Sequence, residues 1–145
     1  MLNGRRITPQ GEKKMFLSQL KYNQKKFFLN LANHLLNIDG KFDEFESDYL
    51  RAICAEMSLS INDVEDFNMD NLNELFKDSE EKKILLTESI ALALCNEEFE
   101  DKEKSFIEDL AQRLNLSSDI QNIVKMVKNH FENQKNMISF IFSEE

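Results

Sequence analysis

The chain has 145 residues, 41% of them hydrophobic, and a formal net charge of −9, which suits one domain with its own core and no need of a disulfide or metal staple. Residues 1–26 hold seven Lys/Arg against the single acid Glu12, leaving eleven bases against 26 acids from Phe27 onward, a net charge of −15. Such a body excludes nucleic acid as a partner, since phosphate binding needs the opposite sign, and no run approaches the roughly 18 apolar residues of a membrane span.

Residues 1–15 carry no periodic apolar pattern and hold Gly4, Pro9 and Gly11, so they read as a flexible basic leader. Gly40 is the only other glycine, and no proline follows Pro9; the absence of breakers beyond Gly40 predicts an all-α chain. Helix is expected to begin around Ser18–Tyr22. The stripe Phe27, Phe28, Leu31, Ala32, Leu35 and Leu36 makes a long helix ending near Gly40. Asp43 and Glu46, spaced as a capping box, open the next helix, whose core face is Tyr49, Leu50, Ile53, Cys54 and Met57. Ser60 with Asp63, then Asp70, are expected to cap two short connecting pieces.

From Ser79 the pattern begins again. Ile84, Leu85, Ile90, Ala91 and Leu94 form a second long helix, and Glu100 with Glu103 opens its capped partner. The segment Leu35–Glu46 returns 57 residues later as Leu92–Glu103. Tyr49, Leu50, Ile53, Met57, Leu59 and Ser60 fall on Phe106, Ile107, Leu110, Leu114, Leu116 and Ser117 at the same displacement. The prediction is a single domain of about seven helices, built from two related helix-turn-helix repeats about a pseudo-twofold axis. Its parts are repeat one at about 20–60, short connecting helices over 61–78, repeat two at about 79–117, and a last helix over 118–133. Ser118 and Gln121 are expected to cap that helix, with Ile120, Ile123, Val124, Val127 and Phe131 facing inward. The apolar tail 134–145, with Met137-Ile138-Ser139-Phe140-Ile141-Phe142, is expected to dock on the body as a final helical turn, the alternative being an exposed partner-binding segment.

Each repeat gathers carboxylates at a helix start. Asp39, Asp43 and Glu46 in the first, with Glu100 and Glu103 in the second, are the candidate ligands for a hard divalent cation, Ca²⁺ or Mg²⁺. The same residues are also what helix capping and the macrodipole select, and that reading stays open. An EF-hand loop does not fit, because Leu35 and Asn37 stand at its first and third positions and Glu97 replaces the required glycine in the second copy.

The pattern Ala32-x6-Asp39-Gly40-x-Phe42-Asp43-x2-Glu46, with the entry Leu20–Ala32 before it and a second such turn after it, resembles the tellurite-resistance TerB family and its TerB-like relatives over residues 16–133. The resemblance implies an all-helical domain of two related halves, an acidic surface for divalent ions, and association with stress-response complexes. In the second copy Asn96-Glu97 stands in place of Asp-Gly.

Catalysis is not expected. His34 and His130 have no serine or cysteine motif beside them, and Gly-rich phosphate loops are absent. Cys54 and Cys95 sit among apolar residues at helical spacing and read as reduced core thiols of a cytoplasmic protein. Two readings remain open: a stress-response-associated interaction module whose acidic surface takes a divalent ion, its partner another protein, or a pure protein–protein adaptor without metal.

Overall fold

A computed structural model describes residues 16–38, 40, 44–95 and 100–143. The leader 1–15, Asp39, Asp43 and the turn 96–99 lie outside the described residues. Six α-helices and three 3-10 turns make up the described fold, with no strand among those residues: α1 Tyr22–Leu36, α2 Glu44–Met57, α3 Leu72–Leu75, α4 Ser79–Ala93, α5 Asp101–Arg113 and α6 Ile120–Phe142.

Helix α1 starts where the Lys21 N–H donates to the Gln24 side chain at 2.8 Å, and Gln24 in turn donates to the Leu75 carbonyl at 2.8 Å. Phe27, Phe28, Leu31 and Leu35 form its buried stripe. It ends at Leu36, four residues before the expected stop at Gly40. The Asn37 and Ile38 N–H groups close its last turn on His34 and Leu35, and the Gly40 N–H donates to the Asn37 carbonyl at 3.0 Å. Gly40 has φ +77, and a Cβ there would meet nothing within 4 Å. Backbone conformation, not crowding, therefore selects glycine at this position.

Helix α4 is the centre of the molecule and packs against α1, α5 and α6. Leu85, Leu86 and every residue from Glu88 to Ala93 are buried, which a helix reaches only when it is covered on all sides. Its small residues, Ser89, Ala91 and Ala93, leave room for the three neighbours. Helix α2 lies on α1 as α5 lies on α4.

The bounds of α4 follow those of α1 by 57 residues at both ends. The ends of α2 and α5 agree in more detail. Ser58 and Asn115 hold φ values of 60 and 62. The next N–H groups reach back five residues, Leu59 to Cys54 at 2.9 Å and Leu116 to Ala111 at 2.8 Å. Both are left-handed Schellman-type caps.

Three local assignments differ from the sequence reading. Asn71, not Asp70, is the cap of α3, because the Asp70 N–H is turned to the Asn68 side chain at 3.0 Å. Ser118 lies inside the 3-10 turn Ser117–Asp119, so α6 begins at Ile120 behind Asp119 with no side-chain cap bond. The last helix does not stop near residue 133. It continues unbroken to Phe142 as one 23-residue helix, and the apolar side chains from Met137 to Phe142 are exposed among the described residues, in contrast to the docked turn expected.

Candidate functional site

Of the five predicted ion ligands, the structure describes three. Glu46 and Glu103 sit in the first turns of α2 and α5, and each is buried at 3% exposure. Glu100 is the N-cap of α5, its N–H donating to Glu103 Oε1 at 3.4 Å in a capping-box arrangement. Glu100 and Glu103 are spent on the start of α5, and burial holds Glu46 and Glu103 away from water. Among the described residues no three His, Cys, Asp or Glu side chains form a group that could hold a metal ion. Asp39 and Asp43, the other members of the set, lie outside the described residues.

A different carboxylate is perturbed, and the sequence reading passed over it. Glu88 is 5% exposed on the central helix. Burial pushes its carboxyl up to about 7; the Phe16 N–H, donating to its Oε2 at 2.6 Å, works in the other direction, and the charge of Glu56 raises it further. Tyr49 belongs to the same neighbourhood. Burial drives its hydroxyl well above the ordinary tyrosine range, with Cys95, Glu88 and Glu56 adding negative charge as they ionise. Beside Glu88, Ser89 Oγ is buried without a hydrogen-bond partner among the described residues. The signal was a lone acid inside the apolar run Ile84–Leu94.

A raised carboxyl in a cleft is a mark of acid–base chemistry. Here the group faces a backbone N–H and fastens the entry segment at Phe16 to the central helix, so its visible work is structural. Where the starts of α1 and α4 meet, Glu81 shows the opposite shift. Burial raises its carboxyl, but bonds from the Lys21 and Gln24 side chains and the Asp78 N–H, with the Lys21 charge, outweigh that and hold it below the usual range. Its ion pair with Lys21 is 3.2 Å long.

Along the outer side of α1 run two shallow hollows of about 350 and 420 Å³ that share Asn30, Glu65, Asp66 and Phe67. Asn30 accepts the Glu65 N–H at 2.6 Å, which holds the connecting segment 64–68 against the helix. An aromatic chain runs beneath it, Phe76 to Phe27 to Phe67 to Phe106, with centroid steps of 5.4, 5.4 and 5.8 Å. His34 stays exposed, its ring 5.3 Å from Phe67 and 5.5 Å from Phe106. Edge and tilted contacts at these separations make it a stiff strip of surface.

Among the described residues, the longest run of exposed apolar side chains lies on α6. Ile123 and Val127 are buried against the body and Ile120, Val124 and Phe131 pack at its margin. From Glu132 onward every described residue of the helix is exposed, including Met137, Ile138, Ile141, Phe140 at 85% and Phe142 at 75%. At about 100° per residue, Ile138 and Phe142 continue the stripe of Val127 and Phe131, with Ile141 and Met137 beside it. Lys135 borders the stripe beside Phe131, and Asn136, Ser139, Phe140 and Ser143 occupy the opposite arc around a shallow hollow of their own. Single exposed hydrophobics are ordinary, whereas five in six residues on one helix make a contiguous apolar run of the kind that soluble domains rarely leave open.

Comparison with known protein families, with curated proteins and with solved structures gives no match. No helix among the described residues is long and apolar enough to cross a membrane.

Proposed function

We propose that the protein is a non-enzymatic, TerB-like interaction module of the cytoplasm, associated with stress response, that works by presenting the distal half of α6 to another protein chain. The single observation that carries this reading is the run Met137–Phe142, helical and exposed where a core stripe continues past the body it packs on. An apolar helix face of this kind is the donor half of helix-in-groove recognition. The body then serves as a rigid mount for the helix, with α4 fixing its root through Ile123 and Val127.

On the same reading the body is two copies of one helix-turn-helix unit. Support comes from the 57-residue displacement shared by α1 and α4 and by the caps at Ser58 and Asn115. The meeting of Gln24 with Glu81, positions separated by that same displacement, is what an axis passing between the starts of α1 and α4 would require. The acidic helix starts around Asp39, Asp43, Glu46, Glu100 and Glu103 remain the proposed place for a divalent ion that tunes the contact.

The test is site-specific photo-crosslinking in the native lysate. A photoreactive residue at Ile138 is expected to give discrete protein adducts that the same group at Glu108, an exposed position of α5, does not. Equal and diffuse labelling from both positions refutes the reading.

A further inference from the structure

We infer that the occupant of the exposed α6 face is the same face of a second copy of this chain, the two helices lying antiparallel; the inference rests on the interaction reading above and names its partner. Three observations select a second copy.

The first is area. Met137, Ile138, Ile141 and Phe142 are 57, 57, 63 and 75% exposed on this face, which leaves on the order of 500 Å² of apolar side-chain surface when a large side chain presents roughly 200 Å². That stands toward the upper end for the largest patch of an ordinary monomer, about 300–600 Å². Two such patches closed on each other reach the roughly 1,000 Å² that a specific interface has to clear.

The second is charge. The chain carries −9 in all, yet residues 133–143 hold no acid and one base, Lys135, before Glu144 and Glu145 close the sequence. Two copies repel each other least along this stretch. The same neutrality gives an anionic lipid surface nothing to attract, while the acidic body opposes it.

The third is the continuity of the stripe. The face that is open at Ile138 and Phe142 is the one that packs on the body at Val127 and Phe131. A parallel partner helix laid on that face would run into the body toward Ile120. An antiparallel one enters from the free end and stops near Phe131, overlapping over about eleven residues or roughly 16 Å. The shallow hollow of about 200 Å³ among Leu94, Lys128, Phe131, Glu132 and Lys135 lies where the partner's tip arrives. Sequence spacing fits a paired seam, since Phe131, Gln134, Ile138 and Ile141 alternate steps of three and four residues.

The experiment is light scattering with sedimentation velocity on the full chain across a dilution series. The expected result is a concentration-dependent species of twice 17.1 kDa. Ile138→Glu and Phe142→Glu should each abolish it while leaving the circular dichroism spectrum and melting temperature unchanged, because these side chains are exposed in the single copy. Met126→Glu, on the outer face of the packed half, should leave the dimer intact. A chain that stays at 17.1 kDa at every concentration overturns self-pairing, as does a dimer that survives both tail variants. If such a monomer also gives the Ile138 photo-adduct to a different protein, the interaction reading stands and only the partner is wrong; if it sediments with vesicles of mixed zwitterionic and anionic lipid, the occupant is lipid and both fail.

Discussion

Replacing Glu88 by Gln should make the protein more stable, and only above mildly acidic pH. The carboxyl is 5% exposed and titrates at about 7 in the fold against about 4.5 when free. Between those two values the folded chain holds a proton that the unfolded chain has released, so unfolding stability falls as pH rises. A difference of about 2.5 units at 1.36 kcal/mol each makes the loss about 3 kcal/mol, complete once the pH exceeds 7. Gln keeps the shape and an oxygen to accept the Phe16 N–H, and it has no charge to bury. Urea melts of both proteins followed by circular dichroism at a series of pH values between 4 and 8 read the difference directly, free of the slopes contributed by other carboxylates. The two proteins should be within about 0.5 kcal/mol at pH 4, with the variant ahead by as much as about 3 kcal/mol at pH 8. Parallel profiles would show that Glu88 is hydrated or paired in solution, and the buried-carboxyl account would fall.

Ser58 sits at φ 60, where a side chain is strained; Ser58→Gly should raise stability by about 0.5–1 kcal/mol in the same melts, and Asn115→Gly by less, since asparagine tolerates that region. Phe76 is fully buried with its ring edge-on to Phe27 at 5.4 Å; Phe76→Ala should cost about 3–5 kcal/mol, and a cost under about 1 kcal/mol would mean that the segment around α3 does not close on α1. If the first acidic turn takes an ion, millimolar Ca²⁺ or Mg²⁺ should raise the melting temperature of the chain, and Asp39→Ala should remove the increment while leaving the ion-free melt in place. An unchanged melt with both ions leaves these carboxylates as helix caps.

The long helices were readable because burial on one side imposes a three-four spacing on α1, α2 and α5, while α4, covered on all sides, shows as a nearly unbroken apolar run. Their caps were readable where the side chain and its amide are close in sequence, as with Glu100 and Glu103. What spacing could not carry was the identity of the neighbour. Glu88 falls in phase with an apolar run and looks like a tolerated polar residue until its surroundings, Tyr49, Glu56 and the Phe16 N–H, arrive from distant segments. Glu46 and Glu103 were legible as capping acids, but their burial depends on what covers the first turn. The tail was misjudged for the same reason. A stripe of Ile138, Ile141 and Phe142 has the period of a buried helix whether or not anything stands opposite it, and among the described residues nothing does.

On the two-unit reading, that unmatched stripe has a physical origin in the layout. The segment that covers α1 on its outer side, 64–76, holds the aromatic strip and then turns at Asp78 into α4. The segment that covers α4 is α6, and the 57-residue displacement sets Asn136–Phe142 on Ser79–Leu85, the opening of the central helix. In the first unit, the residues at this place pack onto α1, the helix equivalent to their own. The centre of the fold is thus a pairing of two equivalent helices, with Gln24 and Glu81 at their meeting point. The exposed end of α6 carries apolar residues at the place where such a pairing happens inside the chain, and among the described residues nothing covers it. A second copy supplies one, by the same like-with-like packing that assembles α1 and α4. Charge at Ile138 should then dissolve the assembly without touching the body, which separates a surface made for pairing from one that is merely apolar.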